Sequence, residues 1–128
     1  MYREHKDLFT PEQWEDTDFR TFFLAYLESE IWLANLSERP EYEGMDIDEN
    51  IHYFDQQSLE RLRRDALKFY YDHFVNSTLD GTQFGHEFAK ARNGHETSLG
   101  VLYPHALTYG DTNLYWDNET KTLGADLI

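Results

Sequence analysis

Apolar residues recur at helical spacing through the first eighty positions of this chain, then give way to short runs broken by turn residues. Phe19, Phe22, Phe23, Tyr26, Leu27, Ile31 and Leu33 step by threes and fours, which predicts a helix over roughly residues 18–36. Glu28 and Glu30 fall off its main apolar stripe in this reading. Ahead of it, Thr10, Pro11 and Gln13 can form a capping box with proline at the first helical position, so a short helical turn through Trp14 is expected. Leu59, Leu62, Ala66, Phe69, Tyr70, His73 and Phe74 define a second long helix over roughly 56–77, capped by Asp55.

Between these helices, residues 37–55 hold seven acids, one base, and the breakers Pro40 and Gly44. They predict an irregular, ordered acidic loop pinned by Met45, Ile47, Ile51, Tyr53 and Phe54. Past residue 80, Asn93-Gly94 is a two-residue hairpin signal that sets Arg92 against His95, Lys90 against Thr97 and Phe88 against Leu99. A second hairpin runs from Asn113–Trp116 through Asp117, Asn118 and Glu119 to Thr120–Leu123, with Pro104–Tyr109 as a short helical turn or loop before it. The expected fold is α+β, with two main helices packed on a small antiparallel sheet made of C-terminal hairpins. One domain spans 1–128, mainly helical and acidic over 1–80 and mainly β-hairpin over 81–128.

Composition supports a folded core, because 40% of the 128 residues are apolar and 16% aromatic. The absence of cysteine excludes disulfides and thiolate chemistry and favours a reducing compartment. The opening MYREHKDLFTPEQ has no apolar leader run, and Phe22–Leu27 is too short to span a bilayer. A soluble, cytoplasmic protein is expected.

Charge changes the picture most. The chain carries 25 acids and 11 bases, a net −14, and 15 of those acids stand in residues 1–55 against 4 bases. Such a surface is repelled by phosphate backbones and anionic membranes, so neither direct nucleic-acid binding nor membrane binding is expected. The partner it fits is a protein with a basic surface, of the sort that holds nucleic acid. The candidate contacts are Glu12, Glu15, Asp16 and Asp18 near the first helix, and Glu38, Glu41, Tyr42, Glu43, Asp46, Asp48 and Glu49 in the loop. Trp14, Tyr42 and Tyr53 are the candidate aromatic anchors. The bases Arg61, Arg63, Arg64 and Lys68 on the second long helix are expected to face the acidic half and balance it.

Candidate chemistry is sparse. Six histidines without cysteine offer no closely spaced ligand pairs, and a hairpin would hold His86 and His95 at opposite ends of a strand. Asp46-Ile47-Asp48-Glu49-Asn50 echoes a calcium loop, but Ile51 and Gln57 stand where glycine and an acid belong. With no glycine-flanked serine, phosphate loop or dinucleotide fingerprint, no enzyme activity, metal or cofactor is expected.

One stretch has a likeness. Gly85-His86-Glu87-Phe88 followed by Ala91-Arg92-Asn93-Gly94-His95 resembles the GHDFWLTRNGHG signature of a group of small phage- and plasmid-encoded proteins. Leu107–Tyr115 and Tyr70–Asp80 resemble the segments that flank it, so the likeness covers roughly 66–123. The signature's Phe-Trp-Leu-Thr-Arg reads Phe88-Ala89-Lys90-Ala91-Arg92 here. The resemblance implies a mobile-element origin, where small acidic proteins often block host DNA-acting or defence enzymes. Three expectations follow: a DNA-mimicking inhibitor, a small-ligand or metal-binding protein using the hairpin Gly85, His86, Arg92, Asn93, Gly94 and His95, or a homodimeric assembly protein whose acidity serves solubility.

Overall fold

The computed structural model describes residues 8–36, 54–117, 119–120 and 122–127. Its helices are α1 (Pro11–Glu15), α2 (Thr17–Leu36), α3 (Gln56–His73), α4 (Gly81–Arg92) and α5 (Tyr103–Leu107), followed by strands β1 (Thr112–Asp117) and β2 (Thr122–Leu127). The fold is α+β: helices first, then one antiparallel hairpin. None of the described helices is long and apolar enough to cross a membrane.

The helix starts follow from local chemistry. The Thr10 hydroxyl accepts from the Gln13 amide while the Gln13 side chain accepts from the Thr10 amide, closing the capping box. Asp55 caps α3 through the Ser58 amide, and Asp80 caps α4 through the Gln83 amide. A 3-10 turn, Phe74–Asn76, ends α3.

The core lies between α2, α3 and α4 and is largely aromatic. Phe69 of α3 stacks on Phe88 of α4 with centroids 4.2 Å apart, and Phe22 of α2 packs on Phe84 of α4 at 5.5 Å. Gly85 lets α2 and α4 meet backbone to backbone: a Cβ there would stand 2.4 Å from the Phe22 carbonyl oxygen and 2.9 Å from the Tyr26 nitrogen. Beside this crossing, β1 and β2 pair in the register Thr112↔Leu127 to Asp117↔Thr122. Phe54 adds a parallel bridge to Leu123 on the other edge of β2, and the Ser58 hydroxyl accepts from the Ala125 amide.

The second hairpin forms, but not in the expected register: Asp117 belongs to β1, and β2 runs from Thr122 to Leu127 instead of Thr120 to Leu123, so that Trp116 pairs with Leu123. The first does not form. Asn93-Gly94 ends a helix instead: Asn93 is the C-cap of α4 and Gly94 takes φ +80°. The His95 amide donates to the Lys90 carbonyl and the Gly94 amide to the Ala91 carbonyl, the paired bonds of a Schellman cap. A type I′ turn and a Schellman cap both need a left-handed residue at this position, so the dipeptide alone does not choose between them. The apolar rhythm does. Phe84, Phe88 and Ala91 share the core side of a helix, with Gly81, Gly85 and Ala89 toward α2. Residues 81–92 are therefore helix, and the strand pairings expected across Asn93-Gly94 are replaced by helix–helix packing.

Candidate functional site

The acids read as a contact surface divide into three groups. Glu12, Glu15 and Asp18 are exposed on α1 and the first turn of α2, and none forms an ion pair among the described residues. Asp16 is committed to the fold. Its Oδ1 accepts from the Phe19 amide at 3.1 Å, starting α2, and its Oδ2 accepts from the Tyr71 hydroxyl at 2.7 Å. Glu38, Glu41, Tyr42, Glu43, Asp46, Asp48 and Glu49 lie outside the described residues, as does Tyr53. Trp14 is half-buried against Phe9 at 5.7 Å, with the Arg20 guanidinium 4.5 Å over its ring, so it is core and not a free anchor.

The bases of α3, expected to face the acidic half, pair with none of Glu12, Glu15, Asp16 or Asp18, and the acidic loop lies outside the described residues. Arg61 donates to the Ala125 carbonyl at 3.0 Å and Arg63 to the Leu8 carbonyl at 2.6 Å, tying the C-terminal strand and the N-terminal segment to α3. Lys68 pairs with Asp72 on its own helix, and Arg64 lies 3.6 Å from Asp65. Long guanidinium side chains on α3 reach the carbonyls left at chain ends. A local lysine–acid pair is simply the nearest partner.

The segment that carries the signature-like residues has a different character from a surface hairpin. Arg92 is fully buried and every one of its nitrogens bonds. Nε donates to the Gly110 carbonyl at 3.0 Å, Nη1 to the Tyr26 hydroxyl at 3.1 Å, and Nη2 to Asp65 Oδ2 at 2.8 Å and the Tyr109 carbonyl at 3.0 Å. One guanidinium thus joins α2, α3, α4 and the stretch leading into β1. Asn93 extends the network: its Nδ2 donates to the Ala89 carbonyl at 2.9 Å and to both oxygens of Glu30, at 3.2 and 3.1 Å. Its Oδ1 accepts from the Thr112 amide at 3.3 Å. Glu30, 2% exposed, also meets the Thr112 hydroxyl and the Tyr26 side chain. Burial pushes the Glu30 carboxyl up to about 7, against the opposing pull of Thr112, Arg92, Asn93 and Tyr26. Burial also raises the Tyr26 phenol well above its ordinary value, with Glu30 adding to it.

No family model, no curated protein and no solved structure matches this chain.

The remaining residues of the segment contribute no converging chemistry. His86 is half-buried on α4, its pKa lowered by burial and by Lys90, while His95 is exposed beyond the cap. Gly85 and Gly94 serve helix packing and helix termination. Among the described residues no three His, Asp or Glu side chains are grouped to hold a metal ion.

Glu30 is the member of the network that the pattern reading misplaced. At about 100° per residue it stands one turn after Tyr26 and two after Phe23, in the middle of the buried stripe. An acid at the centre of an aromatic face was the available signal. Arg92 carried a weaker one, being a base on the apolar side of a helix that the hairpin reading had dissolved.

Proposed function

We propose that this protein is an acidic accessory protein, of the phage or mobile-element type, that binds a basic protein surface. By occupying that surface as duplex DNA would, it inhibits a host DNA-acting or defence enzyme, with no chemistry of its own. The observation that carries the reading is the exposed set Glu12, Glu15 and Asp18, three carboxylates within seven residues that form no ion pair among the described residues, in a chain of net −14. Duplex DNA presents about one charge per 1.7 Å of axis, and Arg or Lys side chains in a DNA cleft bond to carboxylates as they do to phosphates. A ligand pocket at residues 85–95 is less well supported, because Arg92 and Asn93 spend their donors inside the fold.

The test is capture of proteins from a bacterial lysate on the immobilised protein, with and without excess duplex DNA, beside the variant Glu12→Gln/Glu15→Gln/Asp18→Asn. The expected result is retention of nucleic-acid enzymes, release by DNA, and weakened retention by the variant at unchanged melting temperature. Retention of none, or retention indifferent to DNA, removes the proposal. Asp16 stays intact in the variant because it caps α2.

A further inference from the structure

The buried network holds two carboxyl groups and one cation. Asp65 takes the Arg92 guanidinium directly, at 2.8 Å, and lies at the network's half-open margin with its side chain 17% exposed. Glu30 lies deeper and has no ion-pair contact of its own with Arg92 among the described residues. Facing it are the Tyr26 phenol from α2, Asn93 and Arg92 from the end of α4, and Thr112 from the start of β1, with Asp65 of α3 beyond the guanidinium. No second cation is among these groups. An ionised carboxylate in such a place is disfavoured unless a cation is matched to it.

The proton count leads to the same state independently. Asn93 can be oriented only one way, because its Nδ2 meets the Ala89 carbonyl and its Oδ1 meets the Thr112 amide. Its Oδ1 therefore faces the Thr112 hydroxyl oxygen at 3.0 Å, and that same hydroxyl also meets Glu30 Oε2. Thr112 has one hydroxyl proton for two acceptors. If Glu30 is a carboxylate, one of the two oxygen–oxygen contacts has no proton in it. If Glu30 is a carboxylic acid, it donates to Thr112, Thr112 donates to Asn93, and every contact is filled.

We infer that Glu30 is a proton-operated latch: as a neutral acid it fastens α2 to the end of α4 and to the start of β1, and loss of its proton loosens that joint. The proton is released to solvent and no bond other than O–H is broken. The joint then has a buried charge facing an unprotonated oxygen contact, and β1 is the element at its edge.

The direction with pH follows from linkage. A carboxyl raised from 4.5 to about 7 in the folded chain gives its full stability below the unfolded value and loses it as pH rises through 7. Between pH 5 and pH 8 the folding equilibrium constant should weaken on the order of a hundredfold from this group. Two measurements test this in the full chain. Carbon-13 NMR of glutamate-labelled protein should show the Glu30 carboxyl carbon, assigned by its absence in Glu30→Gln, titrating near neutrality. Amide hydrogen exchange at Thr112, corrected for the intrinsic pH dependence of exchange, should lose protection over the same range in the wild type and keep it in Glu30→Gln. A carboxyl carbon titrating in the ordinary glutamate range, or Thr112 protection independent of pH, overturns the latch. Should Glu30→Gln fail to fold, glutamate carbons titrating only in the ordinary range would still overturn it.

Discussion

Arg92 shows how one side chain can decide a fold of this size. Four of its donor hydrogens meet Asp65, two carbonyls and a phenol, so no other residue type fills the position without leaving buried acceptors open. Replacing it by methionine removes the cation from Asp65 and frees the Gly110 and Tyr109 carbonyls. We expect Arg92→Met to lower stability by about 3–5 kcal/mol, read from urea unfolding. Adding Asp65→Asn should recover part of that loss, since the stranded charge is then gone and only the carbonyls are left open. Equal loss in the single and double variants would mean that the ion pair contributes nothing and that the carbonyl bonds alone matter. The signature-like Arg-Asn-Gly run thus acquires a structural account here: a buried fork, a cap that also holds Glu30, and a left-handed glycine.

At the scale of elements, α4 is held by its closeness to α2. Gly81 and Gly85 are one turn apart, and both present bare backbone to α2: a Cβ on Gly81 would meet the Asp18 carbonyl at 3.4 Å, and one on Gly85 the Phe22 carbonyl at 2.4 Å. Gly85→Ala should therefore cost roughly 1–3 kcal/mol by prising the helices apart, despite alanine's better helix propensity. Gly81→Ala should be near neutral or mildly stabilising, because its Cβ finds ordinary contact distances. Paired thermal melts check the contrast, and a similar fall in both would place the effect elsewhere than in the α2–α4 contact. Helices with strong local signals were legible in the sequence: the Thr10–Gln13 box starts α1, and Asp55 with its Leu59, Leu62, Ala66 and Phe69 stripe marks α3. That a C-terminal hairpin forms was legible from its turn residues, but its register was not, because Asp117 pairs with Thr122 inside the ladder instead of turning. What misled was a dipeptide read without its context, since Asn93-Gly94 satisfies two motifs that share one backbone conformation. Of the candidate contact residues, the role of Asp16 was hidden because a helix cap and a surface acid look alike in sequence.

Over the whole molecule, charge and structure are unevenly shared. Most of the described bases have partners within the chain: Arg92 in the core, Arg61 and Arg63 on backbone carbonyls, Arg20 over Trp14, and Lys90 beside Glu87, while Arg64 and Lys68 stay exposed beside Asp65 and Asp72. Acids are left to dominate the surface of a chain of net −14, whose self-repulsion opposes folding. Two separate electrostatic costs then grow toward high pH, one spread over the surface and one at Glu30, and ionic strength separates them. Salt near 1 M shortens the screening length to about 3 Å, which removes most of the surface term and leaves a fully buried group nearly untouched. Melting temperature at pH 7 should therefore rise as salt is added, by several degrees if repulsion costs about 1–2 kcal/mol. The difference in stability between pH 5 and pH 8 should survive in high salt in the wild type and largely vanish in Glu30→Gln. A pH dependence that disappears with salt in the wild type as well would assign all of it to the acidic surface. The same salt series bears on binding, because occupation of a basic cleft by Glu12, Glu15 and Asp18 should weaken steeply with salt while the fold grows firmer. Opposite responses of affinity and stability to one variable are what an acidic binder predicts, and parallel responses would mean that the surface charge does not carry the binding.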